Sequence, residues 1–234
     1  MEFLRLNGVR VPKFELARDR NSFEIGLDKL GYPKTVLCFK PSFSNGSRGF
    51  RIINSSIDEF DLLFNHKPNN LYMSVEKLFE IINNRTLQDI ILMEYLPGDE
   101  YNVDIFYDSF NELIIPRKRL IMHGGISTTV VVENNQEIIQ YCQEIMSCLK
   151  LKGTVGIQVR LGLDGLPYIL EINPRLQGTV VASVAAGANI PLYMVLSTLG
   201  YEIKPGIVNW GMKMIRFWEE SYFDKNGKAL DIKF

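Results

Sequence analysis

Three oxygen-bearing side chains stand where two short strands would bring them together. Tyr168-Ile-Leu-Glu-Ile-Asn-Pro-Arg175 reads as an apolar strand carrying Glu171 and Asn173, with Arg175 just beyond its end. Alternation along a strand puts Ile169, Glu171 and Asn173 on one face and Leu170 and Ile172 on the other. Upstream, residues 154–161 read as the partner strand and Leu163-Asp-Gly-Leu166 as the turn between them. With Asp164 and Gly165 as the central turn residues, Gln158 falls directly opposite Glu171, about 5 Å away. A glutamine, a glutamate and an asparagine converging in this way offer hard oxygen donors, which suit Mg²⁺. The same pattern also fits an ordinary hairpin whose polar face is half solvated, and Pro167 could lengthen the turn and shift the register.

Three other segments carry chemistry-bearing residues, each with a plainer reading beside it. In residues 36–50, Lys40 stands at a strand end ahead of the loop Ser44-Asn-Gly-Ser-Arg-Gly49. Backbone N–H groups there could line a nest for phosphate oxygens, with Lys40 adding a compact positive charge. A mobile hairpin tip fits the loop as well, and its spacing is neither that of a Walker loop nor of a dinucleotide fingerprint. In residues 90–104 a strand breaks at Leu96-Pro-Gly98 and then resumes. Backbone groups near 93–96 could read a purine edge, and Glu100 could accept from ribose hydroxyls; a simple bend fits equally. Arg117 and Arg119 alternate onto one face ahead of His123, where they could hold a carboxylate or phosphate, or merely form a solvated cationic face.

The elements that must position these groups follow from periodicity and stop signals. Helices are expected over 21–30, 56–64 (capped by Ser55 or Ser56), 71–83, 136–149, 179–188 and 191–199. Strands are expected over 35–39, 50–53, 89–94, 101–107, 111–122, 126–132, 154–161, 168–173 and 212–217. The segment 136–149 is the clearest helix, since Ile138, Ile139, Cys142, Ile145, Met146 and Leu149 keep the 3.6-residue period. Several hairpins and no alternating βαβ pattern make this an α+β protein.

Bulk properties exclude several classes. The chain has 234 residues, 46% hydrophobic and 23% charged, with a formal net charge of -1. A balance of 26 basic against 27 acidic residues provides no field for nucleic acid or an anionic membrane. No apolar segment approaches a membrane span and no signal-peptide pattern opens the chain. Cys38, Cys142 and Cys148 lack metal or redox spacing and read as reduced, mostly buried thiols, so a cytoplasmic location is expected.

Taken in order, a lysine with a glycine-rich loop, a Leu-Pro-Gly hinge followed by an acid, a glutamine strand and a Glu-Ile-Asn-Pro-Arg strand resemble the ATP-grasp superfamily. The nearest likeness is to its carbamoyl-phosphate-synthase-like branch, whose last motif reads Glu-x-Asn-Pro-Arg. The resemblance runs from about residue 11 to about residue 200, and its specific parts are 36–50 and 154–178. It implies an ATP-grasp fold with two α+β subdomains, 1–89 and 90–234, and the nucleotide between them. It also implies a role for each matching residue. Lys40 would bind ATP phosphates under the loop Ser44, Asn45, Gly46, Ser47, Arg48 and Gly49. Glu94, Tyr95 and Leu96 would present backbone to adenine, and Glu100 would meet the ribose. Gln158, Glu171 and Asn173 would hold Mg²⁺ (or Mn²⁺), and Arg175 would steady the transferred phosphate. Arg117, Arg119 and His123 are the candidates for substrate contact.

The activity implied is an ATP- and Mg-dependent ligase that activates a carboxylate as an acyl-phosphate for attack by an amine or similar nucleophile. A carbamoyl-phosphate-type reaction on bicarbonate and a non-catalytic ATP-binding subunit are the alternatives. Family members carry a separate N-terminal α/β domain followed by a helix bearing another phosphate-binding cation. Here Met1-Glu-Phe-Leu-Arg-Leu-Asn-Gly-Val-Arg-Val-Pro12 looks like the tail of that helix. A missing N-terminal domain or a partner subunit is therefore expected, with Arg5 as the nearest cation.

Overall fold

The computed structural model of the protein describes residues 1–43, 48–66, 71–82, 85 and 88–230. Its first part runs α1 (Glu2–Leu6), β1 (Phe14–Ala17), α2 (Arg20–Leu30), β2 (Leu37–Pro41), β3 (Arg51–Ile53), α3 (Glu59–Phe64), α4 (Val75–Ile82) and β4 (Ile90–Glu94). Then come β5 (Glu100–Tyr107), β6 (Glu112–His123), β7 (Ile126–Val132), α5 (Gln136–Leu149), β8 (Gly153–Leu161) and β9 (Pro167–Asn173). The chain closes with α6 (Val180–Ala185), α7 (Ile190–Thr198), β10 (Lys213–Ile215), β11 (Tyr222–Phe223) and β12 (Ala229–Leu230). Two antiparallel sheets dominate the described residues, ordered β1-β4-β2-β3 and β10-β7-β6-β5-β8-β9. The α+β expectation holds.

Helix termini explain most boundaries. Asp19 starts α2 by accepting from the Ser22 N–H at 2.7 Å, and Gly31 ends it in the left-handed region. Asn135 caps α5 by accepting from the Ile138 N–H at 3.1 Å, and the helix spans the residues its period marks out. Ile138 and Ile145 of that helix are fully buried and contribute about 2 kcal/mol each. Three expected helices are shorter than their patterns, the 179–188 helix among them, which spans only Val180–Ala185. The 56–64 helix begins at Glu59, because Asp58 rather than Ser55 or Ser56 accepts from the Phe60 and Asp61 N–H groups, at 2.9 and 3.2 Å. The 71–83 helix begins at Val75, because the backbone before it runs beside β3. There the Ile52 N–H donates to the Leu71 carbonyl at 2.7 Å, and the Met73 N–H donates to the Ile52 carbonyl at 3.1 Å. No strand was expected over β1, which pairs with β4 from Phe14↔Met93 to Ala17↔Ile90.

The first sheet buries Leu37, Phe39, Ile53, Ile90 and Leu92 against α2 and α4. Its opposite face presents Cys38, Ile52 and Met93, which cluster with Phe14. Strand β4, expected at the head of a second unit starting at residue 90, lies inside this first sheet, hydrogen-bonded to β1 and β2. Pairing on both edges satisfies its backbone, so the passage between sheets falls after Glu94.

The second sheet has two unlike faces. Tyr101, Val103 and Ile105 of β5 and Val155, Ile157 and Val159 of β8 pack under α5. The alternate residues point the other way: Glu100, Asn102 and Asp104 on β5, and Gly156, Gln158 and Arg160 on β8. Farther along the sheet, Phe106, Leu113, Ile115, Val130 and Val132 are covered by Ala182, Ala186, Ile190 and Tyr193. No helix among the described residues is long and apolar enough to cross a membrane.

Candidate active site

The hairpin of β8 and β9 places Gln158 opposite Glu171, by a different route from a two-residue turn. Leu163, Asp164 and Gly165 form a three-residue turn, closed by the Gly162 N–H donating to the Leu166 carbonyl at 2.9 Å. Gly165 takes φ 77°, which a glycine accepts without strain. Below the turn Leu161 pairs with Pro167, Arg160 with Tyr168 and Val159 with Ile169, one residue out of step with the expected register. A β-bulge at Leu170 then restores it, giving Gln158↔Glu171, Ile157↔Ile172 and Gly156↔Asn173. The bulge also breaks the expected alternation. Ile169 does not share a face with Glu171 and Asn173; it is buried with Ile157 and Val159 under α5. Leu170 packs against Cys38, Ile52 and Met93 of the first sheet. Glu171 and Asn173 do share a face, since the Asn173 Nδ2 donates to Glu171 Oε1 at 2.6 Å.

Register extends this into rows across the second sheet. One row is Arg117, Asn102, Gln158 and Glu171; the next is Ile115, Asp104, Gly156 and Asn173. A third pairs Glu100 with Arg160. From the first sheet, Lys40 reaches across and its Nζ donates to the Leu170 carbonyl at 2.9 Å. The two sheets are therefore bridged at the bulge. Burial holds the Lys40 pKa below its ordinary value, with Glu171, Cys38 and Glu100 opposing that shift.

The remaining candidates separate. Glu94 turns its carboxylate away from this face, accepting from the Lys13 N–H at 2.8 Å. The Tyr95 N–H donates to the Val36 carbonyl at 3.0 Å; Leu96 is buried, and its N–H makes no hydrogen bond among the described residues. Gly98 lies tight against β8, where a Cβ would sit 2.7 Å from the Leu161 carbonyl oxygen. Glu100 is enclosed by guanidinium groups: Arg119 bonds one carboxylate oxygen, and Arg160 Nη1 lies 3.8 Å from the other. Arg119 also donates to Ser127 Oγ and to the Gly125 carbonyl, both at 2.7 Å. Arg175 is exposed and donates to the Leu176 carbonyl at 3.0 Å. His123 ends β6, about 13 Å along the strand from Arg119. Ser44, Asn45, Gly46 and Ser47 lie outside the described residues, while Arg48 and Gly49 stand exposed at the loop exit.

Arg117 sits apart from solvent, with a side chain 0% exposed. Its Nη1 bonds Thr179 and its Nη2 lies 2.7 Å from Asp104 Oδ1. The approach is close but poorly aligned: among the described residues neither atom completes a well-directed hydrogen bond and Arg117 Nε has no partner. Asp104 Oδ2 accepts from Ser183 Oγ at 2.7 Å. Burial pushes the Asp104 pKa up, and Arg117 offsets part of that. Arg117 and Arg119 thus both face carboxylates of the protein itself.

The oxygen set suits a hard divalent cation. Asn173 and Glu171 bond each other through Nδ2 and Oε1, which leaves Asn173 Oδ1 and Glu171 Oε2 for another ligand. Among the described residues no three His, Cys, Asp or Glu side chains gather as a metal set. With one carboxylate and two amides, a cation here would need further anionic oxygens, as phosphates supply. A separate surface cavity of about 500 Å³ is lined by Arg5, Arg10, Lys13, Lys29, Glu94 and Tyr168, among others, and by none of Lys40, Gln158, Glu171 or Asn173. Residues missed by sequence reasoning are Asn102, Arg160 and Gln177. The first two were legible, since period-2 alternation places them beside Glu100 and Gln158. Gln177 is buried against Gly156 and donates to the Ile157 carbonyl at 3.2 Å; no local pattern marks it.

Comparison with known proteins gives this geometry a family. The chain is 28% identical over 204 residues to a carbamoyl phosphate synthase large chain of Clostridium botulinum, covering 78% of this chain and 17% of that protein. It therefore spans under a fifth of the length of such relatives. Among solved structures, N5-carboxyaminoimidazole synthetase from Staphylococcus aureus, complexed with ADP, superposes at a TM-score of 0.69 with 17% identity, covering 92% of this chain and 54% of that one. The biotin carboxylase domain of the Hydrogenobacter thermophilus 2-oxoglutarate carboxylase superposes at 0.65 with 15% identity, covering 91% and 47%. These likenesses show the fold. The family model described as an ATP-grasp in the biosynthetic pathway with Ter operon matches residues 86–215, more than half of the chain. This chain belongs to the ATP-grasp family.

Proposed function

We propose that the protein is an ATP-dependent ligase that activates a carboxylate for attack by an amine or similar nucleophile. The observation that carries this reading is the register-locked set Gln158, Glu171 and Asn173 facing an interlobe lysine. Gln158, Glu171 and Asn173 would hold Mg²⁺ or Mn²⁺, which when bound neutralises charge across the phosphates. Lys40 would release the Leu170 carbonyl and bind phosphate oxygens, aided by the loop from Ser44 to Gly49. Leu96 offers a backbone donor to adenine, and Glu100 an acceptor to the ribose. A substrate carboxylate oxygen attacks the γ-phosphorus, the bond to the β-phosphate oxygen breaks, and ADP leaves. The nucleophile's nitrogen then attacks the acyl carbon, expelling inorganic phosphate, while Arg175 steadies the charge on that phosphate. Buried Arg117 acts as a structural cation beneath the site; Arg119 acts through Glu100; His123 is left for a substrate reaching the hairpin tip.

The test is ADP release with Mg·ATP across a panel of carboxylate and amine pairs, with Glu171→Ala and Asn173→Ala as controls. Each substitution should lower turnover about a hundredfold or more while the fold survives. Unchanged turnover in both variants would remove the assignment. A second reading is favoured by the similarity to carbamoyl phosphate synthase large chains: bicarbonate is the acid. Including bicarbonate in the panel separates the two, and ATP binding without ADP release on any pair would favour a non-catalytic nucleotide-binding role.

A further inference from the structure

We infer that Arg160 is the positioning residue that sets Glu100 for the sugar of the nucleotide, an inference that rests on the proposed ATP site. Arg160 is two residues beyond Gln158 on β8 and shares its face. Its guanidinium meets the protein on three sides. Nε donates to the Gly98 carbonyl at 3.0 Å, and Nη2 donates to the Tyr95 hydroxyl at 3.1 Å. Nη1 lies 3.8 Å from Glu100 Oε2, and the guanidinium carbon stands 5.0 Å from the centre of the Tyr95 ring. One side chain therefore ties both ends of the Tyr95–Gly98 passage to the strand that carries Gln158.

The planar fork explains why an arginine is used. Its donors leave in fixed directions, so engagement of Nε and Nη2 fixes the aim of Nη1. Glu100 is a pure acceptor, 12% exposed, whose other oxygen is bonded by Arg119. Held between two guanidinium groups, its carboxylate has little freedom to rotate. A vicinal diol is the ligand chemistry such a fixed acceptor suits, since each hydroxyl donates one hydrogen bond. Without Arg160 the carboxylate would turn on Arg119 alone, while the hinge stays tied to β8 by the Gly98 N–H donating to the Leu161 carbonyl at 3.0 Å and the Leu161 N–H donating to the Asp99 carbonyl at 2.9 Å.

The test compares Mg·ATP with Mg·2′,3′-dideoxy-ATP by calorimetric titration of the wild type, Arg160→Met and Arg160→Lys. The wild type should prefer ATP by about tenfold or more, the value of hydrogen bonds to a charged acceptor. Arg160→Met should lose most of that preference while binding the dideoxy nucleotide nearly as before. Arg160→Lys should recover part of it, and in a turnover assay KM for ATP should change more than kcat. Preference retained in Arg160→Met, or equal weakening of both nucleotides, would overturn the inference and leave ATP binding intact. If the wild type bound neither nucleotide, the ATP site itself would be refuted. Melting curves of both variants guard against misfolding, and Arg160→Lys carries the test if Arg160→Met does not fold.

Discussion

Replacing Asp104 by Asn separates a structural arginine from a substrate arginine. The Arg117–Asp104 pair is sealed, with side chains 0% and 2% exposed and nitrogen and oxygen 2.7 Å apart. At an effective dielectric of 20, charges at that separation attract by about 6 kcal/mol, before desolvation is subtracted. Asparagine keeps the shape and the Ser183 contact but leaves Arg117 as an uncompensated buried charge. Loss of one partner from such a pair costs about 3–5 kcal/mol, a large share of the roughly 5–15 kcal/mol that holds a domain together. With a urea slope of roughly 2–3 kcal/mol/M, the unfolding midpoint of Asp104→Asn should fall by about 1–2 M. The double variant Asp104→Leu/Arg117→Met removes both charges and should return to within about 1 kcal/mol of the wild type. A midpoint for Asp104→Asn within measurement error of the wild type would refute the reasoning. So would a double variant as unstable as the single one, because the arginine's charge would then not be what costs.

Three other outcomes follow from the structure. Binding of Mg·ATP should weaken as pH rises through the lowered Lys40 pKa, below the 10.5 of an ordinary lysine; calorimetry of Lys40→Arg should show affinity that persists into that range. The linked effect on folding has the opposite sense: the folded state holds the Lys40 proton less tightly than the unfolded chain, so this lysine's contribution to stability rises with pH over the same window. Gly98→Ala should cost about 1–3 kcal/mol by overpacking against Leu161 and loosen ATP, read by melting and titration; an unshifted melt would show that the hinge can move aside. Lys150 ends α5 at φ 52°, so Lys150→Gly should raise the melting temperature by about 2–4 °C, the equivalent of about 1 kcal/mol.

What the sequence discloses depends on distance along the chain. Helix α5 was readable in full, because its cap, its apolar period and its end are local. The pairing of Gln158 with Glu171 was also readable, yet through two offsetting departures: a turn one residue longer than assumed and a bulge at Leu170. Pro167 marked the longer turn as open, but the bulge has no signature in residue types, since it is chosen by what Leu170 packs against in the other sheet. The Arg117–Asp104 pair was hidden for the same reason. Asp104 and Arg117 meet only when β5 and β6 align and α6 brings Thr179 and Ser183 over them. The 71–83 pattern predicted a longer helix because its first residues are apolar, and pairing with β3 claimed their backbone instead.

The bulge at Leu170 also insulates the site from the hairpin tip. In a regular ladder, gaining or losing one residue at the turn would rotate every side chain below it to the opposite face. Here the offset introduced by Leu163-Asp-Gly165 is absorbed before the ladder reaches Glu171. One bulge cancels that one-residue offset and no other, so turn length and bulge are matched, and the tip can change in composition while the carboxylate and its amide neighbours keep their aim. That makes Leu163, exposed at the tip, a natural place for a fluorophore that reports on the cleft without rebuilding it.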